Sequence, residues 1–251
     1  MQTINPLIER AYGVLDGEPI DRALVDKLAG IDGEDILDLV SLSNKVRIKF
    51  ASESHICTIL NAKSGQCRED CRFCAQSGHN RAEIEVYPLL KREEIVRKAE
   101  AAHATGVRSF GIVTSGTGFQ ERNDAFDEII EAIDLIYERS PDMNVCASLR
   151  VLSDETARAL AEHRIVHYNI NIQTAPSRYG ELISTSHDLE ERVQTIKLLK
   201  EHGIKVCCGG ILGVGESVSD RIDMAYVLKD LAVDVIPLNV LVPIAGTPLE
   251  D

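Results

Sequence analysis

The sequence predicts an α/β fold of the (β/α)8 TIM-type barrel class, with about six βα units present and a helical N-terminal extension. Three observations carry this. First, apolar, β-branched runs recur at 56–60, 107–114, 144–149, 165–172, 204–212 and 233–242, with helical patterns between them. Such alternation implies crossover connections and a parallel sheet. Second, the glycine-rich turn Gly209-Gly210-Ile-Leu-Gly213-Val-Gly215-Glu216 lacks G-x-G-x-x-G order and follows the fifth strand. A doubly wound dinucleotide-binding sheet carries its glycine turn after the first. Third, Cys67, Cys71 and Cys74 follow the first strand, and barrels hold their chemistry at strand C-terminal ends.

Taken in order, residues 3–43 read as a mostly helical lead-in, so the extension is set at 1–45 and the barrel at 46–251. A helix at 91–105 is closed by Gly106. Another at 125–139 puts Phe126, Ile129, Ile130, Ile133 and Ile136 on one face and stops at Ser140-Pro141. A third, at 188–201, opens with an Asp188-x-x-Glu191 capping pattern and ends at Gly203. Eight βα units need two strands more than these runs supply, so the C-terminal strands of the barrel are expected to be missing from the chain.

Composition narrows the function. With 251 residues and 44% hydrophobic content, the chain can bury one sizeable core. A net charge of −13 repels phosphate backbones, and there is no basic run with interleaved aromatics, so nucleic acid is not an expected partner. The N-terminus lacks a signal-peptide pattern, and no apolar run approaches the roughly 20 residues that span a bilayer. A cytoplasmic protein without membrane contact is expected. There, the seven cysteines read as reduced thiols or metal ligands, not a disulfide framework.

Three thiolates on one loop make a metal site with a fourth position to be filled by something else. Spacing alone allows a structural zinc site completed by His79. The wider loop, Lys63-Ser-Gly-Gln-Cys67-Arg-Glu-Asp-Cys71-Arg-Phe73-Cys74-Ala-Gln-Ser77, resembles the cluster loop of the radical S-adenosylmethionine superfamily, and within it that of biotin synthases. Further similar blocks follow in the same order: 168–174, 185–192, 205–216 and 236–249.

The resemblance implies a [4Fe–4S] cluster on Cys67, Cys71 and Cys74, with S-adenosylmethionine on the unique iron. It implies that Phe73 lies against the adenine, Arg192 meets the S-adenosylmethionine carboxylate, and Gln173 reaches the ribose. Asn171 and Asn239 would contact nucleoside or dethiobiotin. From residue type alone, these asparagines serve equally well as strand-end amides, and Arg192 as a solvated helix charge. The implied reaction is radical-mediated sulfur insertion converting dethiobiotin to biotin, with reduced flavodoxin or ferredoxin as electron donor; a homodimer is compatible with it.

Sulfur would come from an auxiliary cluster, which in this family takes cysteines from the second, third and fifth strands. Here Cys146 and Cys207 match the last two, while the second-strand position is Gly111. Removing the loop cysteines leaves Cys57, Cys146, Cys207 and Cys208. By strand alternation Cys57 points inward, and a bulge at Gly209-Gly210 could turn Cys208 inward beside Cys207. Four such thiolates suit a four-iron auxiliary cluster, with [2Fe–2S] as the alternative. Gly111 also keeps open a related enzyme without sulfur insertion, resembling methylornithine synthase or the hydrogenase-cofactor maturase.

Overall fold

The computed structural model describes residues 4–51 and 56–251; the first residue of the expected lead-in, Thr3, lies outside them. Residues 1–55 and 56–251 form two compact units. The first contains α1 (Pro6–Ala11), α2 (Arg22–Leu28) and α3 (Asp35–Phe50). Ile8, Ala11, Leu24 and Leu42 form its core. Because α3 runs five residues past the expected boundary, the helical part is longer than the apolar pattern indicates.

The second unit follows the expected alternation. In chain order it contains β1 (Cys57–Lys63), α4 (Arg92–Ala104), β2 (Ser109–Thr114), β3 (Gly118–Phe119), α5 (Asp124–Arg139), β4 (Asn144–Ser148), β5 (Val151–Leu152) and α6 (Asp154–Glu162). It continues with β6 (His167–Asn169), α7 (Tyr179–Leu182), α8 (Glu190–Glu201), β7 (Lys205–Cys207), β8 (Gly210–Leu212), α9 (Val218–Asp230) and β9 (Leu238–Val240). Caps fix several helix starts. The Asn123 side chain accepts from the Phe126 N–H at 3.0 Å, and Ser153 and Ser217 each form a capping box. Asp188 Oδ1 accepts from the Glu191 N–H at 3.1 Å, as the capping pattern predicts.

The main sheet is parallel, in the order β1-β2-β4-β6-β7. A Cys207–Val235 bridge carries it onward, and Gln173–Gly210 ties β8 to the turn after β6. Strand order thus follows chain order without reversal. A doubly wound sheet reverses at its switch point, whereas a barrel winds on in one direction. The unit is therefore the partial barrel expected. Alternate strand residues Phe110, Ile112, Val145, Ala147, Tyr168 and Val206 are buried in one core with Ile129, Ile133, Leu160, Ile196 and Leu228 of the helices. The residues between them, including Gly111, Cys146 and Cys207, face the barrel interior.

Three of the strands are much shorter than their apolar runs, and the 165–172 run keeps only His167–Asn169 as β6. The 204–212 run is split between β7 and β8, because Asn171 Oδ1 takes the Gly209 N–H at 2.9 Å and a side chain interrupts the ladder. The 233–242 run keeps only Leu238–Val240 as strand, following Pro237, which has no N–H to donate.

Candidate active site

The cysteine loop closes on itself just beyond β1. Gly78 N–H donates to the Cys67 carbonyl at 2.8 Å, Cys74 N–H to the Cys71 carbonyl at 3.1 Å, and Asn80 Nδ2 to the Cys71 and Cys74 carbonyls at 3.1 and 2.9 Å. Cys67 and Cys71 are buried and Cys74 is half-buried. Burial raises the Cys71 and Cys74 thiol pKa values, with the Arg150 cation opposing the rise at both.

The segment before α8 grips this loop. Asp70 accepts from the Thr185 and Ser186 N–H groups at 3.0 and 3.1 Å and from the Ser184 and Thr185 hydroxyls, while Arg72 N–H donates to the Ile183 carbonyl at 2.9 Å. Burial alone would raise the Asp70 pKa, but these donors outweigh it and hold the carboxyl well below the ordinary range. The same segment brings His187 Nε2 to 3.3 Å from Cys71 Sγ, with its Nδ1 3.2 Å from the Tyr179 hydroxyl. Burial, then the Arg192 and Arg150 cations, lower the His187 pKa to about 4, so the ring is neutral at pH 7.

Two guanidiniums border the loop. Arg192 is buried, donates from Nη1 to the Asn171 carbonyl at 2.9 Å and lies 5.9 Å from the centroid of the Tyr179 ring. Burial lowers its pKa below the ordinary arginine value, in spite of the facing Tyr179. Arg150 lies beside it, and a niche of about 10 Å³ between them is bounded by Glu69, Thr117, His187 and Glu191. Among the described residues neither arginine forms an ion pair with a carboxylate.

Of the remaining expected residues, Phe73 packs against the small apolar cluster of Tyr179, Leu182, Ile183, Ile211 and Val214. Gln173 is buried in the left-handed conformation (φ 70), and its Oε1 and the neighbouring Thr174 Oγ1 have no hydrogen-bond partner. Asn171 is half-buried, with its side-chain Oδ1 accepting from the Gly209 N–H. Asn239 stands on β9 opposite Ile211 and is exposed, so it is not gathered into this group. His79 Nε2 is turned to the Arg68 carbonyl at 2.9 Å, leaving the zinc reading without its fourth ligand. Nor do three His, Cys, Asp or Glu side chains among the described residues gather closely enough for one ion. Sequence reasoning missed Arg150, Asp70 and Tyr179; His187 stood in the 185–192 block, but a single histidine carried no spacing to mark it.

Below the loop, three of the four other cysteines, Cys57, Cys146 and Cys207, project from β1, β4 and β7 to the inward side of the sheet. Cys146 lies in register between Gly111 and His167, and Cys207 opposite Asn169, whose Nδ2 is 3.4 Å from its sulfur. Burial pushes the Cys146 thiol up to about 11, with Cys57 and Cys207 adding to the rise. Cys208 is a correction: it is fully buried in the helix-side core with Val206, since the strand alternates regularly through Val206, Cys207 and Cys208. The glycines interrupt the ladder only after it, so no bulge turns it inward. Gly111 has a local cause as well. A Cβ there would lie 3.1 Å from Ile59 Cγ2, so a side chain on β2 would crowd β1, and the third inward thiol comes from β1 itself as Cys57.

The sequence profile of the Radical SAM superfamily matches residues 62–227. The chain is 54% identical to the biotin synthase of Chlorobium limicola, over 98% of this chain and 75% of that protein. It is 52% identical to that of Chlorobium phaeovibrioides, over 100% and 76%. In fold it is similar to methylornithine synthase, with TM-score 0.83, 19% identity, and 97% and 70% coverage. The [FeFe]-hydrogenase maturase HydG follows with TM-score 0.76, 18% identity, and 96% and 55% coverage. With more than half its sequence identical to a biotin synthase along nearly its whole length, the chain belongs to the biotin synthase family of the radical S-adenosylmethionine superfamily.

Proposed function

We propose that this chain converts dethiobiotin to biotin by radical-mediated sulfur insertion. The observation that carries the reading is a cysteine loop faced by two half-buried or buried guanidiniums without carboxylate partners. The donor set fits the groups the family uses. Three thiols on one loop suit a cluster, which spreads its thiolates instead of drawing them to one point. A buried cation without a counter-ion suits a carboxylate-bearing ligand. Gln173 Oε1 and Thr174 Oγ1, buried without partners, suit hydroxyl donors such as those of a ribose.

The cluster and S-adenosylmethionine, when bound, supply a radical able to abstract hydrogen from an unactivated C–H bond. The chain's own residues hold the parts in place. Cys67, Cys71 and Cys74 ligate the iron, and Arg192 binds the carboxylate end. Phe73, fixed by Tyr179 and its neighbours, offers a face to the adenine. Asn171 directs its amide nitrogen to nucleoside or substrate while its oxygen secures the Gly209 turn. Asn239 serves dethiobiotin from the β9 side. Reduced flavodoxin or ferredoxin supplies electrons.

Sulfur comes from an auxiliary iron–sulfur cluster on Cys57, Cys146 and Cys207, with Asn169 against the Cys207 sulfur. With Cys208 in the core, three thiolates remain for this centre; the four-iron form is kept as the proposal, with [2Fe–2S] as the alternative. Iron and sulfide analysis of anaerobically purified protein tests it. About eight iron atoms per chain are expected, falling to about four in Cys146→Ala. A value near four that Cys146→Ala leaves unchanged would remove the auxiliary cluster from the proposal. Biotin formation, with 5′-deoxyadenosine released only when dethiobiotin is present, tests the reaction itself.

A further inference from the structure

Arg150 follows β4 with φ 72, a conformation glycine takes freely and other residues adopt at a cost. Its turn is clamped from below. The buried Tyr168 hydroxyl donates to the Arg150 carbonyl at 2.7 Å and accepts from the Leu149 N–H at 3.1 Å. The strained turn aims the guanidinium into the niche at the cysteine loop, where Nη2 lies 3.4 Å from His187 Nε2. His187 Nε2 lies 3.3 Å from Cys71 Sγ as well, so the guanidinium and the Cys71 sulfur meet at one ring nitrogen. A strained conformation persists where the surrounding structure over-determines it, and such positions cluster at functional sites.

We propose that Arg150 is an electrostatic positioning residue for the radical-generating cluster: a fixed positive charge held beside the Cys71 sulfur that raises the cluster's reduction potential. This rests on the reading of Cys67, Cys71 and Cys74 as the cluster's ligands. Reduction adds one negative charge to the cluster, and a neighbouring cation stabilises the reduced form more than the oxidised one, most strongly where water is excluded. Arg192 adds to the positive field at Cys71, but it is tied to the Asn171 carbonyl and faces the Tyr179 ring. Arg150 therefore lowers the demand on the electron donor, while Arg192 remains for the carboxylate.

The test is an EPR-monitored redox titration of the reconstituted protein without dethiobiotin, following the signal that changes when S-adenosylmethionine is added. Arg150→Gly is the informative variant, since glycine accepts φ 72. Its metal-free form should melt no lower than the unaltered protein. Its cluster should titrate at a more negative potential, with Arg150→Lys restoring most of the shift. An Arg150→Gly protein with a full cluster and an unaltered potential overturns the proposal and leaves the ligand reading standing. If the unaltered protein takes up no S-adenosylmethionine-responsive cluster, both fall.

Discussion

Tyr168 shows how much one oxygen atom can hold. It is fully buried, and its hydroxyl serves both the Leu149 N–H and the Arg150 carbonyl. Tyr168→Phe leaves both groups buried without that partner, so a loss of about 1–3 kcal/mol is expected in urea unfolding of the metal-free protein. Asp70 has a different kind of leverage, because it joins the cysteine loop to the segment before α8. Asp70→Asn keeps the shape but weakens the acceptor for two backbone N–H groups and two hydroxyls. Expected are a loss of about 2 kcal/mol and a loop cleaved sooner by protease before the cluster is loaded. At this scale the sequence was partly legible. Cys67, Cys71, Cys74 and Arg192 stood in recognisable blocks, and the structure brings them together. Arg150 carried no signal, because its role depends on a backbone angle and on Tyr168, neither of which has a pattern in one sequence.

Between residue and molecule, the turn joining β7 to β8 shows what apolar pattern omits. The 204–212 run reads as one strand, yet an asparagine side chain takes the place of a strand neighbour at Gly209. A Cβ at Gly209 would lie 1.9 Å from the Pro237 carbonyl oxygen. Gly209→Ala must therefore push β9 away, and a destabilisation of about 3 kcal/mol is expected by chemical denaturation. Beyond β8, Glu216 closes the 213–215 turn. Its side chain, 2% exposed, accepts from the Gly213 and Val214 N–H groups at 2.9 and 2.8 Å and pairs with Arg221. Burial would raise its pKa, but these donors hold it below 4.5. A carboxyl depressed on folding stabilises fully above its unfolded pKa and loses that contribution as pH falls through the folded one. The urea midpoint of the metal-free protein should therefore fall on acidification below about pH 4.5. A Glu216→Gln variant should start lower and fall less steeply.

Across the whole molecule, the direction of winding was the most legible property, because periodicity and turn chemistry are local and repeat along the chain. Strand alternation gave Cys57 its inward orientation, while that of Cys146 and Cys207 was implied by the resemblance, and alternation returned Cys208 to the core once the expected bulge was absent. Three-dimensional convergence was less accessible: the sequence separations of Cys57, Cys146 and Cys207 say nothing of their shared face until strand register is known. Among the described residues no helix is long and apolar enough to cross a membrane. The Asp70 grip has a consequence in time. Its partners lie 114 to 116 residues further along the chain, beyond β2, β4 and β6. Contacts so distant in sequence form late in folding. The cysteine loop therefore cannot take its final shape until four strands and their helices are in place, and iron delivered earlier meets an unshaped segment. Cluster insertion is a step performed on an almost finished fold, and its rate should follow folding of the sheet, not synthesis of the loop.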